Sequence, residues 1–270
     1  MSKQVSYPEF DKYYYYHASV QSPETDVEFL ERVYKEARHE IPEIFTMTED
    51  FCGTFAISCE WAKLGDNYKA IGIDLDQEPI SYGREHYFTE LDEEEKSRLT
   101  ILNKNVLDKE LPKTDLICGL NFSYFIFKQR STLKEYFQNA YDRLNEDGVF
   151  VLDCFGGSKC YEANEEETEY TDDKFSYFWD QDSFDPITNE AQFYIHFKRK
   201  GEKKRTNQFS YDWRMWSIPE IRDVLEEVGF KKIDIYWEGT TDDGEGDGHF
   251  SKTNVGEECE SWICYIVGSK

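Results

Sequence analysis

The chain has 270 residues, of which 39% are hydrophobic and 17% aromatic, and its formal net charge is -25. This length and apolar content fit one large domain, or one domain with an insertion, and argue against a disordered chain. The charge argues against phosphate backbones and anionic membranes as partners, because so acidic a surface repels both.

The seven cysteines, Cys52, Cys59, Cys118, Cys154, Cys160, Cys259 and Cys264, are odd in number and show no CxxC zinc spacing. Most sit in apolar runs and read as buried, reduced thiols of a cytoplasmic protein. The opening MSKQVSYPEF carries no apolar signal region, and no stretch approaches the ~18 apolar residues of a membrane span.

Residues 1–23 are tyrosine-rich (YYYY at 13–16) and read as a lead-in with aromatic anchors. PETDVEFLERVYKEAR, 23–38, has the apolar spacing of an amphipathic helix. EIFTM, 43–47, is a short strand, 54–64 a helix stopping near Gly65, and YKAIGIDLD, 68–76, a buried strand ending in acids. A helix from Pro79 to about Tyr87, a strand and loop over LTILNKNVLD (99–108), a strand in TDLICGLNFSYFIF (114–127), a helix over 130–144 and a strand in DGVFVLDCFGG (147–157) follow. Strands alternating with helices imply a parallel sheet covered on both faces, with ligands at the carboxyl edge of the strands.

The pattern then changes. The acidic run EANEEETEYTDD within 158–173 reads as a solvated loop, and KFSYFWDQDSFDP, NEAQFYIHFKRK and RTNQFSYDWRMW as strands of an antiparallel meander. SIPEIRDVLEEVGF, 217–230, carries a Ser cap, Pro219 in its first turn and Gly229 at its end, the marks of a helix. KKIDIYWEG and ESWICYIVGSK are the last two strands.

The segment TEDFCGTFAISCEW, 48–61, carries the chemistry. A strand ends near Glu49, the turn Cys52-Gly53-Thr54 follows, and a helix begins whose free N–H groups can meet a polar ligand. Asp74 follows Gly53 by 21 residues, at the end of the next strand, where an acid can accept hydrogen bonds from both hydroxyls of a ribose.

EDFCGT with GIDLD resembles the first two motifs of the class I S-adenosylmethionine-dependent methyltransferases. LNKNVLD resembles the third-strand loop, with Asn105 where that family often has aspartate; LICGLNFSYFIF resembles the fourth-strand motif and RLNEDGVFVLD the connection into strand five. WSIPEIRDVLEEVGFKKIDIYWEG resembles the late helix–strand unit, so the similarity covers roughly 40–157 and 210–267. It is nearest to a bacterial subgroup of small-molecule type with no assigned substrate.

The resemblance implies an α/β, Rossmann-like fold: a seven-stranded, mostly parallel sheet with an antiparallel insertion after the fifth strand. It divides one domain into a lid or helical segment (1–40), a cofactor core (41–157), the β insertion (158–216) and a final helix with two strands (217–270). It implies S-adenosylmethionine as cofactor, held by Glu49, Phe51, Cys52, Gly53, Thr54, Asp74, Leu75, Asn105, Val106, Asn121 and Ser123. By its position alone, Gln21 in SVQSP is expected to cap the cofactor as part of an N-terminal lid. Phe51 and Phe55 stand where the outer glycines of the turn are usual. Ordinary backbone angles are expected at Phe51, and Phe55 is expected to point away from the ligand. A pyrophosphate needs close approach at several glycines, so the phenylalanines favour the sulfonium cofactor over NAD.

Methyl transfer is an in-line displacement for which the protein supplies alignment and a dry site, and a general base is optional. The expected acceptor is a small molecule rather than nucleic acid. Alternatives are a protein methyltransferase, with the aromatic insertion as docking surface, and a non-catalytic cofactor-binding module. Candidate acceptor residues are Tyr14, Tyr15, Tyr16 and His17, then Asn121, Ser123, Tyr124 and Phe127, then Tyr211, Trp213 and Arg214. The guanidinium of Arg214 either grips an acceptor carboxylate or makes a structural salt bridge. His196 in its alternating strand reads as packing. DDGEGDGHFSKTN, 242–254, places Asp243, Glu245, Asp247 and Gly248 as a calcium loop would, but Asn254 stands where glutamate is required, so it reads as a solvated loop and no metal is expected.

Overall fold

The computed structural model describes residues 9–241 and 246–270. The first helix, α1 (Lys12–Val20), is capped by Asp11, whose carboxylate accepts the N–H groups of Tyr13 and Tyr14. Helix α2 (Pro23–Arg38) starts with proline at its first position and buries Val27, Phe29, Leu30, Val33 and Tyr34, the stripe its sequence spacing anticipates.

Five parallel strands follow: β1 (Phe45–Asp50), β2 (Tyr68–Asp74), β3 (Leu99–Asn103), β4 (Thr114–Gly119) and β5 (Leu144–Gly156). Between them lie α3 (Ala56–Lys63), α4 (Gln77–His86), α5 (Glu93–Ser97) and α6 (Arg130–Arg143). After the second sheet come α7 (Ile218–Val228), β10 (Lys232–Thr240), β11 (Gly246–Thr253) and β12 (Trp262–Ser269). The sheet order is β11-β10-β12-β5-β4-β1-β2-β3, with β12 antiparallel to both neighbours. The order reverses between β1 and β4, which opens a crevice at their carboxyl ends.

The sheet has eight strands rather than the seven expected. The extra one, β11, falls in the stretch read as a solvated loop. Its residues are mostly exposed, so no alternating pattern marks it; it forms because β10 offers an unpaired edge and because Phe250 packs on Phe29 and Tyr265. Asp243 and Glu245 of the calcium-like pattern lie outside the described residues.

The insertion is a four-stranded antiparallel sheet: β6 (Asn164–Tyr170), β7 (Phe175–Asp185), β8 (Glu190–Arg199) and β9 (Arg205–Arg214), in that order. The acidic run read as a loop is its edge strand β6. Backbone bonds to β7 hold it while its glutamates stay in water, a common way of guarding a sheet edge. Alternation along β8 buries Ala191, Phe193, Ile195 and Phe197. Phe193 and Trp213 join the core under the first sheet, while Phe197 and Phe175 receive Tyr15 and Phe10 from α1 and its approach.

Helix α1 is therefore pinned between the two sheets. Tyr13 donates to Glu78 and Tyr82 to Asp11 on the α4 side, and Tyr16 packs on Phe209 of β9 at 4.8 Å. Under the crevice, Arg143 of α6 pairs with Asp50 of β1 at 2.5 Å, both almost wholly buried, with Tyr136 donating to the same carboxylate. Among the described residues no helix is long and apolar enough to cross a membrane.

Candidate functional site

The turn joining β1 to α3 is wound tightly. Phe51, Gly53 and Phe55 have φ of 59°, 51° and 51°, all left-handed. The ordinary backbone expected at Phe51 is not found: each phenylalanine adopts a conformation that costs an L-residue about 1–2 kcal/mol. Packing holds them there. The Phe55 ring is fully buried and turned away from the crevice, as expected, although the residue caps α3 rather than lying inside it. Gly83 of α4 makes room for this, since a Cβ there would stand 2.1 Å from the Thr54 carbonyl oxygen and 2.6 Å from the Phe55 ring.

Asp74 at the end of β2 is locked to this turn. One carboxylate oxygen accepts the Gly53 N–H at 2.7 Å and the other the Asp76 N–H at 2.8 Å. Burial pushes its carboxyl above the usual range, and the two N–H bonds oppose that. Asp74 also lines the crevice, and a carboxylate oxygen can accept more than one hydrogen bond, which suits a diol. Glu49 is buried, accepts the Ser58 N–H at 2.9 Å and hydroxyl at 2.6 Å, and is pushed up to about 8 by desolvation. The Cys52 thiol is buried and pushed far up by desolvation, so only its backbone serves the crevice.

Three chambers run in series along the carboxyl edge. The middle one, about 440 Å³, is lined by Gln21, Glu49, Phe51, Cys52, Gly53, Thr54, Asp74, Asn121 and Ser123. The second, about 480 Å³, shares Phe51, Asp74, Asp76 and Ile126 with it and adds Leu75, Asn105, Val106 and Phe127. All twelve residues that the sequence nominated for the cofactor line one or both of these chambers. The Asn105 side chain itself accepts the Leu107 N–H at 2.9 Å and so shapes the loop.

The third chamber, about 380 Å³, opens from the middle one past Tyr16, Leu120, Asn121 and Tyr211, which line both. Its far wall comes from the second sheet, including Tyr177, Trp179 and Trp213. Asp153 of β5 closes its floor, accepting the N–H groups of Asn121 and Phe122 at 2.6 and 2.8 Å, and burial pushes it up to about 7. Asp26, in the first turn of α2, also lines this chamber and is likewise pushed up to about 7 by burial.

Of the acceptor candidates, Tyr16, Asn121, Tyr211 and Trp213 line this third chamber, and the others do not. Tyr15 turns into the second sheet and stacks on Phe10 at 5.1 Å. Tyr124 is wholly buried, its hydroxyl donating to the Asp153 carbonyl at 2.7 Å. Phe127 faces the second chamber. Arg214 lies over Trp216 at 3.7 Å and donates to Glu220 and to the Lys128 carbonyl at 3.1 Å each, the salt-bridge alternative. Strand alternation explains the split, because Trp213 and Arg214 are neighbours and must face opposite ways.

Sequence reasoning missed Asp26, Asp153, Tyr177 and Trp179. Asp153 ends the apolar run of β5 and could have been found by the same strand-end logic that found Asp74. Asp26 carried no signal, since an acid in a first helical turn reads as a partner of the helix dipole.

Among the described residues one cluster has the makings of a cation site: Glu165, Asp180 and His196 in the second sheet. Its bonding disfavours that role. His196 Nδ1 accepts the Asn207 N–H at 2.9 Å, so the ring proton of the neutral imidazole sits on Nε2, 3.0 Å from Asp180. The lone pair a metal would need is occupied.

No protein-family model matches the sequence, and no curated protein matches it significantly. Solved structures do resemble the fold. A S-adenosylmethionine-dependent methyltransferase from Clostridium acetobutylicum superimposes with a TM-score of 0.68 at 18% identity, over 94% of this chain and 96% of that one. An amino pentose methyltransferase from Micromonospora echinaspora, solved with S-adenosylmethionine, gives 0.66 at 10% identity over 98% of each chain. A sugar N-methyltransferase from Streptoalloteichus gives 0.61 at 15% identity, over 100% of this chain and 98% of that one. The chain has the class I methyltransferase fold, and its resemblance spans the second sheet as well as the first.

Proposed function

We propose that this protein transfers a methyl group from S-adenosylmethionine to a small-molecule acceptor. The observation that carries the reading is the series of three chambers joined end to end, with a diol-accepting acid in the first pair and an aromatic compartment beyond. The resemblance to methyltransferases that act on sugars supports it.

In this reading the adenine lies in the second chamber against Val106 and Phe127, beside Asn105 and the Leu75 backbone. Asp74 accepts the ribose hydroxyls, and its bond to Gly53 N–H keeps the turn and the sugar acid in one piece. Glu49, with Gln21, Asn121 and Ser123 nearby, receives the amino-acid end. When bound, the cofactor supplies a methyl group already activated by sulfonium. Tyr16 and Tyr211 form the collar between the middle and third chambers, where the acceptor must meet that methyl. The chain's task there is alignment and exclusion of water, worth up to ~7–11 kcal/mol.

Calorimetric titration with the demethylated cofactor tests the reading. Micromolar binding is expected, and Asp74→Ala should weaken it roughly a hundredfold, the loss of two charge-assisted hydrogen bonds at about 1.5 kcal/mol each. Failure of the wild-type protein to bind either form of the cofactor would defeat the proposal.

A further inference from the structure

The third chamber has a chemistry of its own. Among the described residues no lysine, arginine or histidine lines it, whereas two carboxyls do, Asp26 and Asp153. They differ in what remains free. Both oxygens of Asp153 already hold backbone N–H groups of the loop after β4, so that carboxyl anchors the loop. Among the described residues the Asp26 carboxylate is engaged only by the Ser22 backbone at the start of its own helix, and Asp26 lines the cavity.

The walls between these acids are aromatic faces. Tyr211 stacks on Trp213 at 4.4 Å, Trp179 lies 6.1 Å from Tyr211, and the Tyr16 hydroxyl bonds to Tyr211. An enclosure of ring faces with an acid at its rim attracts a cation through the ring quadrupoles and the carboxylate together. It penalises an anion, and it gives a neutral alcohol little beyond area burial. The net charge of -25 adds a long-range field of the same sign.

Building on the function proposed above, we propose that the methyl acceptor is a small basic amine, seated as its ammonium in the third chamber, and that Asp26 binds it and takes its proton. The N–H bond breaks toward the Asp26 carboxylate, which becomes the acid. The freed nitrogen lone pair forms the new N–CH3 bond at the collar of Tyr16 and Tyr211. The S–CH3 bond breaks with its electron pair left on sulfur, giving the neutral thioether. The product nitrogen carries the positive charge, and Asp26 returns its proton to solvent. A chamber of about 380 Å³ sets the acceptor's size at that of a single ring with its substituents.

The test uses protein saturated with demethylated cofactor and reads quenching of tryptophan fluorescence, since Trp179 and Trp213 line the chamber. Cyclohexylamine and benzylamine are titrated beside cyclohexanol, benzyl alcohol and benzoate. The amines should bind at least tenfold tighter than their alcohols, and benzoate should not bind. Asp26→Asn should weaken the amines at least tenfold and leave the alcohols within about twofold. The demethylated cofactor, titrated into both proteins, separates the two proposals. If both bind it and the amines show no advantage over the alcohols, or Asp26→Asn binds amines like wild type, the amine assignment is overturned while the cofactor site stands. If neither binds it, the reading of the crevice itself has failed.

Discussion

The two left-handed phenylalanines in the turn between β1 and α3 set strain against packing, and glycine substitution separates the terms. At Phe55, glycine would relieve a left-handed conformation costing about 1–2 kcal/mol. It would also delete a ring that is fully buried against α4, a loss of about 3–5 kcal/mol even for replacement by alanine. The net is a destabilisation of roughly 1–4 kcal/mol, or a fall in Tm of several degrees for a chain of this size. At Phe51 the strain relief is similar, but the ring is only half-buried, 5.4 Å from Tyr136 and 5.9 Å from Phe127. Phe51→Gly should leave stability within about 1 kcal/mol of wild type, because the lost burial is smaller and the relief offsets it. It should instead weaken the demethylated cofactor about tenfold, because Phe51 walls both chambers proposed to hold it. Urea denaturation of both variants, with calorimetric titration of the second, reads these effects. If Phe55→Gly were as stable as wild type, or more so, backbone strain would outweigh packing and the account of this turn would be wrong.

The buried pair of Asp50 and Arg143 ties β1 to α6 directly beneath the crevice. Arg143→Met, which strands a buried carboxylate, should cost about 3–5 kcal/mol in urea denaturation. Adding Asp50→Asn should recover part of that, and a loss below about 1 kcal/mol from the single change would contradict the pairing. Glu49, Asp26 and Asp153 are raised by burial to about 8, 7 and 7. Each holds its proton in the folded state at pH values where the unfolded chain has released it. Their contribution is therefore complete below the unfolded values near pH 4 and is lost as pH rises through about 7 to 8. The Tm of the ligand-free protein should fall between about pH 5 and 8.5, and Glu49→Gln should flatten part of the fall; a Tm rising across that window would refute the assignment.

The sequence by itself determined the elements whose residues carry a local pattern. The stripe of α2, the buried β1, β2, β4 and β5, the capping box that starts α7 at Ser217 and Glu220, and the strand-end acid Asp74 beside the Gly53 turn all follow from periodicity, capping chemistry or fixed spacing. Strands β6 and β11 were invisible because nearly all their side chains stay in water; they exist only because a neighbouring strand offers its edge. Tertiary structure also decided which of the many aromatics face the chambers. Tyr15 and Tyr16 are adjacent, yet one turns into the second sheet and the other into the crevice. Asp26 and Trp179 lie 153 residues apart on a helix and a strand with no local signal in common, and only closure of the second sheet over the first places them around one cavity. A local pattern records which face of an element is buried; what it is buried against depends on contacts between residues far apart in the chain, and there the third chamber is made.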